Sequence, residues 1–212
     1  MAAPKMQPVS VRFASAGWIG LTEKSFSTFI EVNGGRTAVM DRGFTVATVG
    51  ADGGYSVVAF DTWGEDDAGD RLQAHLEAAP EGEVLILIIR DDGTHKLTDG
   101  AKAAITALGG IQVGSVAYND AYALMARKPS AGTPPAAMFE AISRRDAGVN
   151  AVAHEGFFLA PVTEEEEAEE EAEADPRAAA SLRADLDYAR ADVASLKAQL
   201  AETQASLEAL QG

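Results

Sequence analysis

The sequence contains no cysteine among its 212 residues. That excludes a disulfide framework, a thiolate nucleophile and a cysteine-built metal site. Histidine is scarce too, and His75, His95 and His154 lack the spacing of a metal-binding set, so no metal is expected. No stretch approaches the roughly 18 apolar residues of a membrane span, so no membrane insertion is expected. The opening MAAPKMQPVS has no charged segment followed by an apolar run and does not read as a secretory signal. Bases are outnumbered, 17 Lys and Arg against 33 Asp and Glu. With a net charge of −16 and no basic patch, a nucleic-acid partner is not expected. A nucleophile elbow, a phosphate-binding loop and a dinucleotide fingerprint are all missing, and no cofactor is implied. Gly109 to Gly114 is glycine-rich, but it follows an expected helix instead of opening one.

What the chain does have is a strict heptad near its end. Leu182, Leu186, Ala189, Val193, Leu196, Leu200, Thr203, Leu207 and Leu210 recur in alternating steps of four and three. Such a seam is a coiled-coil interface, with Leu186, Val193, Leu200 and Leu207 at a and the others at d. A single helix would leave this stripe in water, so a homo-oligomer is expected. In a parallel register, Asp185 and Asp192 at g face Arg190 and Lys197 at e of a neighbouring chain, which sets orientation. Leucine at most a positions departs from the two-stranded pattern, and a trimer is favoured over a dimer. Ahead of the seam, residues 164–175 read EEEEAEEEAEAD, nine acids and no base. Like charges at that density favour an extended, solvated spacer.

Residues 9–162 carry mixed patterns. Val9 to Phe13 alternates as a strand, and Phe26 to Val32 reads as a second, stopped by Asn33-Gly34-Gly35. Gly43–Val49 and Tyr55–Phe60 flank Ala51-Asp52-Gly53-Gly54 and read as a hairpin. Asp66 to Ala79 has helical spacing. Val84 to Ile89 is six consecutive large apolar residues between turn signals, the pattern of a strand buried on both faces. Thr98 can cap a helix to Leu108, closed by Gly109-Gly110. Gly114–Tyr118, Ala121–Ala126 and Val149–Leu159 are expected strands, and Pro134–Arg145 a short helix. Four regions result: an N-terminal arm 1–8, a globular domain 9–162, an acidic linker 163–176 and a coiled coil 177–212.

The ordered motifs Arg42-Gly43-Phe44, Phe60-Asp61-Thr62-Trp63-Gly64, Val84–Ile89 with Asp91-Asp92-Gly93, Lys96-Leu97-Thr98-Asp99, Ala107-Leu108-Gly109 and Tyr118-Asn119-Asp120-Ala121-Tyr122 resemble one family. It is the interleukin-like EMT inducer domain, also called the lectin-like or GG domain. The family occurs in secreted cytokine-like proteins, in the stem of protein O-mannose N-acetylglucosaminyltransferase and in phage structural proteins. The resemblance implies an α+β fold, a compact β-sandwich with flanking helices and no catalytic machinery. It also implies a sugar-contacting acid at Asp91. A second sugar-contacting position, basic in the transferase stem, falls on Asn119, where a neutral amide replaces a charged fork.

Sugar recognition needs an aromatic face for the CH side of the ring and fixed polar groups for its hydroxyls. Trp63, Tyr118 and Tyr122 can supply the face. Asp61, Arg90, Asp91, Asp92, Asn119 and Asp120 can supply the polar set. Asp91-Asp92 leaves a calcium site open, and Asp61 with Asp91 is a weak glycosidase pair. The expectation is a non-enzymatic virion protein, a phage fibre or spike whose lectin-like head meets a cell-surface glycan. The alternative is a structural adaptor that docks other virion proteins without binding sugar.

Overall fold

The computed structural model describes residues 5–162. The chain divides into two units, Met1–Pro161 and Val162–Gly212. The acidic spacer and the seam from Leu182 to Leu210 lie outside the described residues.

The first unit is a β-rich α+β, sandwich-like domain. Its elements are β1 (Met6–Gly17), α1 (Trp18–Thr22), β2 (Phe29–Val32), β3 (Gly35–Ala38), β4 (Gly43–Val49), β5 (Tyr55–Phe60), α2 (Ala68–Ala78), β6 (Val84–Asp91), α3 (Asp99–Ala107), β7 (Ala121–Arg127), β8 (Ala137–Ser143) and β9 (Ala151–Pro161). One layer runs β9-β1-β2-β3 and the other β5-β4-β6-β7-β8. They join where the end of β1 pairs in parallel with the end of β6, Ala16 with Arg90 and Gly17 with Asp91. There β6 has run past β7 and β1 has run past β2, so each strand has a free edge. The buried Ser15 hydroxyl bridges the switch, donating to Ile89 O (2.6 Å) and accepting from Tyr122 N (3.1 Å).

The unbroken apolar run of β6 has a direct cause. Val84, Ile86 and Ile88 face β1, β2 and β9, while Leu85, Leu87 and Ile89 face α2 and α3. All six are fully buried. Each such side chain contributes about 1.5–3 kcal/mol of burial free energy, so a polar residue at either parity is excluded. Helix α3 starts where its cap stands, with Thr98 Oγ1 accepting from Ala101 N at 3.2 Å. It stops at Gly109, whose φ of 105° is poorly tolerated by residues with a side chain.

Three expectations need correction. Residues 137–143 are strand β8, within the expected helix Pro134–Arg145, because β7 offers a free edge and takes them as a ladder. Gly114–Tyr118 is not a strand; Val113–Ser115 forms one 3-10 turn. Strand β1 also begins at Met6, so residues 6–8 pair with β9 as part of the sheet.

Candidate functional site

The end of β6, the start of β4 and the loops after β5 and before β7 meet around a concavity of about 210 Å³. It is lined by Trp18, Arg42, Trp63, Asp91, Asp92, Tyr118 and Asn119. Local chemistry fixes each wall. Gly43, at φ 95°, lets the chain pass beside β5, since a Cβ there would meet Phe60 O at 2.2 Å. That passage sets Arg42 against Asp61. Arg42 donates from Nε to Asp61 Oδ1 (3.0 Å) and from Nη2 to Oδ2 (2.8 Å). Trp63 N and Gly64 N also donate to Oδ1, at 3.2 and 2.9 Å. The guanidinium bond, with help from these amides, holds the Asp61 carboxyl below the usual carboxylate range. With four donors, Asp61 orders the turn that presents Trp63.

The aromatic wall follows. Trp63 lies 4.9 Å from His95 and 5.5 Å from Tyr118, centroid to centroid, and the Arg42 guanidinium sits 5.8 Å from the Trp63 ring. Trp18 and Tyr118 are each half exposed.

The floor is polar and fastened. Asp92 is 2% exposed. Its Oδ1 accepts from Thr94 N and Oγ1 (2.6 and 2.8 Å), and its Oδ2 accepts from Asn119 N at 3.0 Å. Both oxygens serve the protein, so Asp92 is poorly placed to hold a cation. Asn119 stands at φ 62° and Asp91 at φ 66°, conformations that asparagine and aspartate tolerate better than most residues. Burial pushes the Asp91 carboxyl up, opposed by the nearby Arg42 charge. Among the described residues the Asp91 carboxylate accepts no hydrogen bond and forms no ion pair.

The sequence-derived candidates therefore separate. Trp63, Asp91, Asp92 and Asn119 come together at the concavity, with Asp61 bonded to its Arg42 wall. Asp61 stands behind that wall, and three others do not line the concavity either. Tyr122 is fully buried, its hydroxyl donating to Glu140 Oε1 at 2.8 Å and its ring packed edge-on against Phe44. Its place in a strand with both faces covered takes it out of the set. Asp120 is 3% exposed and accepts from Ala117 N, Arg144 Nη1 and Arg145 N, so it locks a loop. Arg90 is half-buried at the β1–β6 join.

Sequence reasoning missed Trp18 and Arg42 as lining residues, and it missed Asn150. Asn150 is fully buried. Its Nδ2 donates to Asn119 O (2.9 Å), its Oδ1 accepts from Gly20 N (3.1 Å), and its carbonyl accepts from Gly17 N (3.1 Å). It thereby seats α1, and with it Trp18, beside Asn119. The one available signal was that Trp18 is half of the chain's tryptophan content. A wider hollow of about 480 Å³ lies at the other end of the sheet, lined in part by Thr48, Asp52, Tyr55, Ser56, His75 and Glu83. Its only tyrosine spends its hydroxyl on Gly35 O and Thr37, so it lacks the paired rings of the smaller site.

The model of the interleukin-like EMT inducer family matches residues 42–130. That span holds every lining residue except Trp18. No curated protein matches the chain.

Proposed function

We propose that this domain is a non-catalytic carbohydrate-binding head, and that the chain is a virion structural protein, a phage fibre or spike, that carries it to host-surface glycans. The observation that carries the reading is the concavity itself: Trp63, Tyr118 and Trp18 around an unpartnered Asp91 and the Asn119 loop. A volume of about 210 Å³ lies below the roughly 300 Å³ of drug-sized sites and suits one ring. Affinity per site is then low, near millimolar, or about 4 kcal/mol.

Placement supports the reading. Strand β1 runs from Met6, paired with Pro161, to Gly17, paired with Asp91. At about 3.3 Å per residue, that separates the site from the point where the chain leaves the domain by roughly 35 Å. The heptad seam would join copies, favouring a trimer, and several weak sites on one stalk gain avidity when they engage together.

The adaptor reading also has an observation in its favour. Met6, Pro8, Phe157 and Leu159 are exposed, and the β1–β9 register sets them side by side on the outer face of that layer. An apolar strip of this kind suits protein docking.

Glycan-array binding of the full chain, beside an Asp91→Ala, Trp63→Ala double variant, tests the proposal. The variant is expected to lose the signal and keep its melting temperature. A wild-type chain that binds nothing across the array or on host cells hands the function to the adaptor. Sedimentation of the full chain against a truncation at Pro176 tests the stalk, with oligomer expected for the first and monomer for the second.

A further inference from the structure

Of the two acids lining the concavity, Asp91 is the one whose carboxylate has no bonded partner among the described residues. Arg42 is held by both oxygens of Asp61. Asp92 is satisfied by Thr94 and Asn119. Arg42 and Arg90 act on the Asp91 carboxyl from one side and Asp92 and Asp61 from the other, and it is bonded to none of them. What remains is a single carboxylate, partly desolvated, in no ion pair among the described residues and in a concavity lined by three aromatic rings. Hydroxyls alone do not require such a group, because the neutral amide of Asn119 on the same rim can bond them. A carboxylate beside aromatic faces is the environment of an organic cation, which gains from the carboxylate and from the ring quadrupoles together.

We propose that the site takes a sugar bearing a protonated primary amine, a hexosamine with a free amino group, with its ammonium on Asp91 and its ring on the aromatic wall. This rests on the glycan reading above.

The chain has two tryptophans, and both line the concavity. Intrinsic tryptophan fluorescence therefore reads this site even though a chain of net charge −16 attracts cations elsewhere. The full chain is titrated with a glucosamine oligosaccharide and with its fully N-acetylated counterpart, at a pH where the amine is protonated. Binding of the amine form is expected to be about fivefold tighter, the upper range for a partly exposed ion pair. In Asp91→Asn the preference for the amine form should disappear. Equal or tighter binding of the acetylated form by wild type overturns the proposal and leaves the glycan reading standing. A preference that survives Asp91→Asn overturns it too. If neither oligosaccharide changes the fluorescence, both readings fail. The wild-type ratio decides alone if the variant does not fold.

Discussion

At the end of the sheet where β6 stops, the interior is polar: Ser15, Thr62, Asp92, Asn119, Asp120 and Asn150 are all buried. At the other end, where the chain leaves the domain, the described interior is Val9, Val49, Val84, Phe158 and Ala160, and the buried polar atom there is His75 Nε2. The site end also holds Asp91, Asn119 and Asn150 at positive φ. Apolar packing is non-directional and cannot hold a loop at one geometry, whereas a hydrogen-bonded carboxylate or amide can. The site end accepts strain and desolvation, including a buried Thr62 hydroxyl without a partner among the described residues, in exchange for fixed loop positions.

The sharpest way to break this contrast is Asp92→Ala. It removes three accepted hydrogen bonds and leaves Asn119 N without a partner. The expected loss is about 3 kcal/mol by urea denaturation, or roughly 6–12 °C in melting temperature. A loss below about 1 kcal/mol would mean that apolar packing holds both ends alike. Asn150→Ala follows at about 2 kcal/mol. It should also weaken ligand binding, since α1 and Trp18 lose their seat, and tryptophan emission should shift to the red. An unchanged spectrum would show that α1 is held by other contacts.

Acid titration probes the Arg42–Asp61 pair. The folded-state pKa of Asp61 lies below its unfolded value. Its stabilising effect is therefore present above the unfolded pKa and is lost as pH falls through the folded one. Arg42→Met should flatten that acid limb of the stability curve, and an unaltered limb would assign it to other carboxylates.

Asp91→Asn should have a smaller effect of opposite sign. The raised pKa of Asp91 means its ionised form opposes folding as pH rises through the folded-state value. The variant should melt slightly higher than wild type near neutral pH while losing ligand selectivity, the usual exchange at a functional group. Smallest of all is Phe157→Ser with Leu159→Ser, on the exposed strip at the exit end. Stability should stay within about 0.5 kcal/mol. A change in oligomer state or particle incorporation with stability intact would favour the adaptor reading.

Much of the scaffold was legible in the chain. Six consecutive large apolar residues can only be a strand covered on both sides, and β6 is that strand. Thr98 names the start of α3 because an unpaired helix N-terminus needs an acceptor there. The hairpin β4–β5 follows from two apolar runs around Asp52-Gly53-Gly54. Strand β8 was not legible. Ala137, Met138, Glu140 and Ala141 are helix formers, and only the free edge of β7 makes them a strand, a preference that does not exist until β7 is in place.

The site divides in the same way. Asp91, Asn119 and Trp63 stand in motifs that local chemistry marks as turns and strand ends, so the sequence alone placed them at the rim of the sheet. Tyr122 stands three residues from Asn119 in the chain, yet strand alternation and the covering helices bury it. Trp18 and Asn150 are 132 positions apart, and neither carries a local signal of belonging to the site. Their union with Asn119 depends on β9 closing along the whole length of β1, a pairing of chain ends that periodicity and turn chemistry do not encode. The sequence determined most of the strands and where the polar turns fall. Tertiary structure decided which of those turns share one concavity, because long-range pairing sets which strand ends meet and burial sets which of their side chains remain free.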